Sequence, residues 1–168
     1  MVSQTLFDLP SKNAAEFSPD GRYRYTLRRQ WDDALPYCLF VMLNPSTADA
    51  TQDDPTIRRC IGFAKAWGLG GLLVGNLFAL RSTDPAALYC AADPVGTEND
   101  YYLRMLRDEA SLSVAAWGVH GAFSGRGKEV ADQWGGALHC LGLTKEGHPR
   151  HPLYMSGKSV PLVWRQDG

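Results

Sequence analysis

Phe40-Val41-Met42-Leu43-Asn44-Pro45-Ser46-Thr47-Ala48-Asp49-Ala50 is the stretch that decides the fold. An apolar run from Cys38 to Leu43 stops abruptly at Asn-Pro-Ser-Thr. Its length and apolar continuity predict a strand buried on both faces, as in a sheet covered by helices. Asn44 precedes a proline, whose ring pushes the preceding residue out of the helical region into an extended or turn conformation. Asp53-Asp54-Pro55-Thr56-Ile57-Arg58-Arg59-Cys60 comes next. Asp54 suits a helix cap and Pro55 the first helical position. The unit is therefore strand, polar turn, helix. Polar groups at the carboxyl end of a buried strand occupy the place where open α/β sheets bind ligands.

The same unit recurs outward from that stretch. Ile57, Cys60, Ile61, Ala64 and Trp67 keep helical spacing until Gly68 and Gly70-Gly71 end it. Leu72 to Val74 opens a second buried strand, which runs into Gly75-Asn76-Leu77-Phe78. Ser82-Thr83-Asp84-Pro85 starts a short helix over 86–90, and a longer helix is predicted over 97–109. A third strand over 112–117, a helix over 126–134, a fourth strand over 137–141 and a short edge strand over 160–164 complete the chain. Toward the amino end, Asp20-Gly21 marks a turn. The segment 22–31 reads as a half-buried strand, with Tyr23, Tyr25 and Leu27 on one side and Arg22, Arg24, Thr26 and Arg28 on the other. The first twenty residues hold Pro10 and Pro19 and are expected to form an irregular arm. The expectation is one α/β domain over 1–168. It is a three-layer α/β/α sandwich with a central four-stranded, mostly parallel sheet and right-handed crossovers.

Composition narrows the function classes. The chain has 168 residues, is 45% hydrophobic and carries a net charge of −1. That balance lacks the cationic footprint of a protein whose affinity rests on many phosphate contacts. Cys38, Cys60, Cys90 and Cys140 are too scattered for a paired metal motif, and Cys38 and Cys140 suit buried thiols. His148 and His151 are three apart, but Pro149 and Pro152 deny them a helical ligand pair, so no metal or cofactor is expected. No dinucleotide-binding glycine motif and no phosphate loop occurs, nor does the nucleophile elbow of serine hydrolases. Nothing in the sequence reads as a signal peptide or membrane span, so a monomeric cytoplasmic protein is expected.

Each predicted parallel strand ends in distinctive residues: Asn44-Pro45-Ser46-Thr47, then Asn76 with Arg81 beyond it, then Trp117-Gly118 with His120 beyond. The fourth strand is followed by His148-Pro149-Arg150-His151-Pro152-Leu153. In a parallel sheet these ends share one edge, where they can converge on a crevice. Every residue also has a plainer reading. Asn44 and Asn76 can bond their own backbone in turns. Arg58, Arg59 and Arg81 can pair with Asp49, Asp53, Asp54 and Asp84 on the surface. Trp117 can be core, and His139 a satisfied core residue.

Four blocks resemble the signatures of an uncharacterised bacterial and phage family, domain of unknown function 1643. They are Leu43-Asn44-Pro45-Ser46-Thr47-Ala48, Asp54-Pro55-Thr56-Ile57-Arg58-Arg59-Cys60, Gly75-Asn76-Leu77-Phe78-Ala79 and His151-Pro152-Leu153-Tyr154. Their order is also similar to that of the uracil-DNA glycosylase superfamily, which this resemblance extends to a fold expectation. There the first motif is a turn after the first core strand, where Met42-Leu43-Asn44-Pro45-Ser46 stands here. The last motif is a His-Pro-Ser-Pro-Leu-like loop that enters the minor groove, and His151-Pro152-Leu153-Tyr154 resembles it. This chain departs from the pattern in having Leu43 before Asn44, Ser46 after Pro45, and no Ser-Pro before Leu153.

The resemblance implies a nucleobase-directed enzyme, an N-glycosidic hydrolase acting on a base in DNA or in a nucleoside. The alternatives are a non-catalytic nucleic-acid or nucleotide binding module on the same fold, or a base-modifying enzyme. Such hydrolysis needs a pocket for the base, a positioned water or carboxylate, and stabilisation of the departing base. Asn44 is the candidate to orient water, with Asp49, Asp53 or Asp54 as the nearby carboxylate. His151 is the candidate donor to a base carbonyl. Pro45, Ser46, Asp54, Asn76, Arg81, Trp117 and Arg150 are the candidate substrate contacts, Asn76 offering both a donor and an acceptor to a base edge.

Overall fold

The structure, a computed structural model, describes residues 12–164. The strands are β1 (Asn13–Phe17), β2 (Arg24–Gln30), β3 (Tyr37–Met42), β4 (Gly71–Asn76), β5 (Leu112–Ala115), β6 (Leu138–Cys140) and β7 (Leu162–Val163). The helices are α1 (Pro55–Ala66), α2 (Ala86–Cys90), α3 (Asn99–Glu109) and α4 (Arg126–Asp132). Short 3-10 segments cover Val119–Gly125 and Pro152–Tyr154.

The strands form one mixed sheet of seven, in the order β1-β2-β4-β3-β5-β6-β7. β4, β3, β5 and β6 run parallel to one another, while β1, β2 and β7 join antiparallel. The expected four-stranded, mostly parallel sheet is thus corrected to a mixed sheet of seven with that parallel core. Its open edge at β4 is covered by β2, whose Leu27 is fully buried, and β2 is in turn covered by β1. The expected irregular arm contains β1 from residue 13 onward, and its first eleven residues lie outside the described part. β7 forms the expected short edge strand.

Alternation along the buried strands builds two cores. Phe40 and Met42 of β3 face α1 with Leu72 and Val74 of β4, packing on Ile57, Cys60, Phe63 and Ala64. Leu39 and Val41 face the other way with Leu73, packing on Leu103 and Leu106 of α3 and on Val130 and Ala131 of α4. Helices on both faces make the three layers expected. α1 begins at Asp54, whose Oδ1 accepts from the Ile57 amide at 2.9 Å, with Pro55 in the first turn. The thiols of Cys38, Cys60 and Cys140 are buried and unpaired, and burial pushes the Cys38 and Cys60 ionisations up. No described helix is long and apolar enough to cross a membrane.

The strand order places the site. From β3 the chain passes through α1 to β4 on one side, and later returns to β5 on the other side of β3. The segments leaving the carboxyl ends of β3 and β5 therefore diverge to opposite faces. Open α/β sheets leave a crevice at such a switch point.

Candidate functional site

A cavity of about 450 Å3 lies at this switch point, within the size range of small-molecule sites. Met42, Leu43, Asn44, Pro45 and Ser46 line it from β3, Asp54, Thr56 and Ile57 from the start of α1, and Asn76 from β4. Trp117 to His120 line it after β5, and His151, Leu153 and Tyr154 come from the loop after β6. The structure therefore brings together Asn44, Pro45, Ser46, Asp54, Asn76, Trp117 and His151.

Three predicted residues are absent from the lining. Asp49 Oδ1 accepts from the amides of Thr51 and Gln52 at 2.9 and 2.8 Å, which holds its own loop and lowers its carboxyl ionisation. Arg81 donates to the Gly21 carbonyl at 3.1 Å and lies over the Phe17 ring. Arg150 donates to the Leu143 carbonyl at 3.1 Å. Each has a local partner that a long or short polar side chain can reach more cheaply than the crevice. Asp53 likewise pairs with Arg29 at 2.8 Å.

Asn44 ends β3 as a staple. Its Nδ2 donates to the carbonyls of Ser82 at 3.0 Å and Leu80 at 3.3 Å, so the loop after β4 is tied to the loop after β3. The Ser82 amide returns a bond to the Pro45 carbonyl at 2.9 Å. With the amide nitrogen committed to protein carbonyls, Oδ1 is the remaining acceptor of the Asn44 side chain.

Asn76 is the opposite case. Strand alternation puts it on the α1 face with Leu72 and Val74, and it is 1% exposed. Neither its Oδ1 nor its Nδ2 has a partner among the described residues. Its backbone is held from behind, where Asn99 Nδ2 donates to its carbonyl at 2.9 Å. Buried amides are nearly always paired, so an orphaned one beside a cavity points to a ligand edge with one donor and one acceptor.

Arg24 is the residue that reading the sequence missed. Simple alternation puts it outward, yet it is 2% exposed and lines the cavity. The cause is a bulge. Glu16 of β1 faces Thr26 and Phe17 faces Arg24, so Tyr25 is an extra residue on β2. Beyond it, Tyr25 stacks on Tyr102 of α3, whereas Arg24 turns to the α1 face and donates from Nη1 to the Ala48 carbonyl at 2.9 Å. Its Nε has no partner, and no described carboxylate lies within ion-pair distance. Burial pulls its ionisation down to about 10, an effect partly offset by Asp54, so it remains a cation at neutral pH.

His151 is fixed over the cavity by its loop. The Gly118 amide donates to the Pro149 carbonyl at 2.7 Å, Arg59 of α1 donates to the Met155 carbonyl, and Trp67 Nε1 to the Ser159 carbonyl at 3.0 Å. His151 Nδ1 accepts from the Leu153 amide at 3.2 Å, so the proton of the neutral ring sits on Nε2, a donor. Desolvation lowers its ionisation from 6.5, against an opposing pull from Asp54, so the ring is neutral at pH 7. His148 instead lines a second cavity of about 440 Å3, which shares Trp117 with the first. Gly121 makes room for that indole, since a Cβ there would fall 2.0 Å from Trp117 Cδ1. His139 differs from the expected satisfied core histidine: it is partly buried and its Nδ1 is unpartnered.

A family model described as a protein of unknown function, DUF1643, matches residues 24–153. The chain belongs to the DUF1643 family. The match begins at Arg24 and ends at Leu153, so it contains every lining residue named above except Tyr154. No curated protein and no solved structure matches this DUF1643 chain. Among its described residues no cluster of histidine, cysteine and carboxylate side chains is able to hold a metal ion.

Proposed function

We propose that this DUF1643 protein binds a nucleobase in the switch-point cavity and hydrolyses its N-glycosidic bond, in the manner of the uracil-DNA glycosylase superfamily it resembles. The observation that carries the reading is the Asn76 carboxamide, 1% exposed, lining the cavity with both polar atoms unpartnered. A base edge presents a donor beside an acceptor and satisfies both at once. Met42, Pro45, Ile57 and Trp117 provide apolar and aromatic walls for a flat ring.

The other groups take the remaining roles. Asp54 spends Oδ1 on capping α1, which leaves Oδ2 to accept a proton from water. Asn44 Oδ1 accepts the second hydrogen of that water and orients it toward the anomeric carbon. The C1′–N bond breaks with its electron pair going to the base, the water oxygen bonds to C1′, and the water proton reaches the base nitrogen through Asp54. His151 Nε2–H donates to a base oxygen as charge develops there. Among the described lining residues Arg24 is the only Lys or Arg, and it is buried, so the rim lacks the exposed cations that a polyanionic strand requires. That favours a nucleoside over long DNA. Exposed Tyr154 and Leu153 at the mouth offer a stacking edge if the base is presented by a strand.

The test is chromatographic detection of free base released from nucleosides and from oligonucleotides carrying uracil, hypoxanthine and other altered bases. Release by the wild type and its loss in Asn76→Ala supports the proposal. Tight binding without release leaves a recognition module, and neither binding nor release removes the nucleobase reading.

A further inference from the structure

Arg24 is a buried cation without a counter-ion, placed at the cavity by a bulge whose effect is to re-aim it. A guanidinium taken out of water normally acquires a carboxylate partner, because an unpaired buried charge is costly. Here Arg28 pairs with Glu109, Arg29 with Asp53, and Arg126 with Asp100 and Glu129. Of the three fully buried arginines, Arg29 and Arg126 have carboxylate partners and Arg24 has one carbonyl bond and an orphaned Nε. The half-buried Arg59 is left the same way, but it is not among the residues that line this cavity. The Asn76 carboxamide, also orphaned, borders the same cavity from the same face of the sheet. Two unsatisfied groups at one cavity, one cationic and one amide, specify a ligand with a negatively charged or charge-accepting oxygen beside a donor–acceptor edge.

Two sources of negative charge fit a guanidinium: a phosphate group and an ionising nucleobase. Asp54 decides between them. Its carboxylate borders the same cavity and attracts Arg24 through space, so a phosphate dianion seated there would face a like charge. A base imide arrives neutral or carries at most a single charge spread over its ring and carbonyl oxygens, so it meets much less of that repulsion than a phosphate dianion while still being drawn to Arg24. We infer that Arg24 stabilises the negative charge of the departing base, and that the pocket therefore selects bases with an acidic N–H over weakly acidic ones. The inference rests on the nucleobase reading of the site. In the step, the electron pair of the C1′–N bond moves onto the base ring and its carbonyl oxygens, Arg24 remains protonated throughout, and the water proton finally neutralises the base nitrogen.

The experiment titrates uracil and its fluoro- and nitro-substituted analogues, a series of rising N–H acidity, into the wild type, Arg24→Gln, Arg24→Lys and Asn76→Ala. In the wild type, affinity rises by about tenfold to a hundredfold from the least to the most acidic base at constant pH, the scale of a hydrogen bond to a charged group. Arg24→Gln abolishes that trend, Arg24→Lys keeps most of it, and Asn76→Ala weakens all bases alike. If Arg24→Gln fails to unfold cooperatively, the wild type decides alone: affinity for each analogue must rise as pH passes through that analogue's own ionisation. Bases that bind in an Asn76-dependent way with no acidity trend overturn the Arg24 role and leave the nucleobase reading intact. Failure of every base to bind the wild type overturns both.

Discussion

Asn76→Leu separates stability from function at the centre of the cavity. In a purely structural role, a polar strand-end residue is held by hydrogen bonds and its loss destabilises. Asn76 has none from its side chain to the described residues, and it is 1% exposed. A buried polar atom without a partner costs about 1–3 kcal/mol. Because the side chain borders a cavity, the low end applies to its two atoms together. Leucine has a similar branched shape, and the adjoining space of about 450 Å3 admits its extra volume. The substitution is therefore expected to stabilise the ligand-free protein by about 1–2 kcal/mol. For a chain of this size that is a rise in Tm of about 2–8 °C. Base binding should weaken by roughly 30-fold or more, since the base loses two bonds and its own edge is left unpaired. Urea unfolding gives the first number if the m-value is unchanged, and the thermal shift produced by saturating base gives the second. Destabilisation by more than about 1 kcal/mol with base binding retained would refute the reasoning and make Asn76 part of the scaffold.

Three further substitutions test the surrounding groups. Asn caps a helix as well as Asp, so Asp54→Asn should leave stability within about 0.5 kcal/mol while slowing base release about a hundredfold or more, read by chromatography. Asn44→Ala should cost about 1–2 kcal/mol in denaturant unfolding, because the Leu80 and Ser82 carbonyls lose their donor. An unchanged midpoint would show that the staple is idle. His151 ionises below 6.5 when folded, so the unfolded chain takes up the proton first. Stability should therefore decline as pH falls from about 6.5 through the lower folded value, and His151 should contribute nothing above that window. His151→Ala should flatten this decline when unfolding is followed across pH.

Much of the fold is legible because burial writes itself into residue type. The run from Cys38 to Leu43 had to be a central strand, and Asp54-Pro55 had to start a helix. Asn44, Asn76 and His151 could be placed together because strand ends in a parallel sheet share an edge. What escaped notice depends on pairing rather than on local pattern. The outer strand β1 is short and partly exposed, so its membership in the sheet is set by the partner it finds. Arg24 escaped because a single extra residue at Tyr25 reverses the alternation, and no sequence period records a bulge. Asp49, Arg81 and Arg150 looked like crevice residues because they stand near it in the chain. Their nearest hydrogen-bond partners lie elsewhere.

The most direct measurement is the nuclear magnetic resonance signal of the Asn76 side-chain amide during titration with a free nucleobase. If the Asn76 carboxamide is the base-recognition group, its two amide protons shift on saturation and become protected from exchange with water. The Asn99 side-chain amide, already committed to the carbonyls of Asn76 and Leu77, should move far less. An Asn76 amide that stays unmoved across saturating concentrations of every base tried would contradict the account.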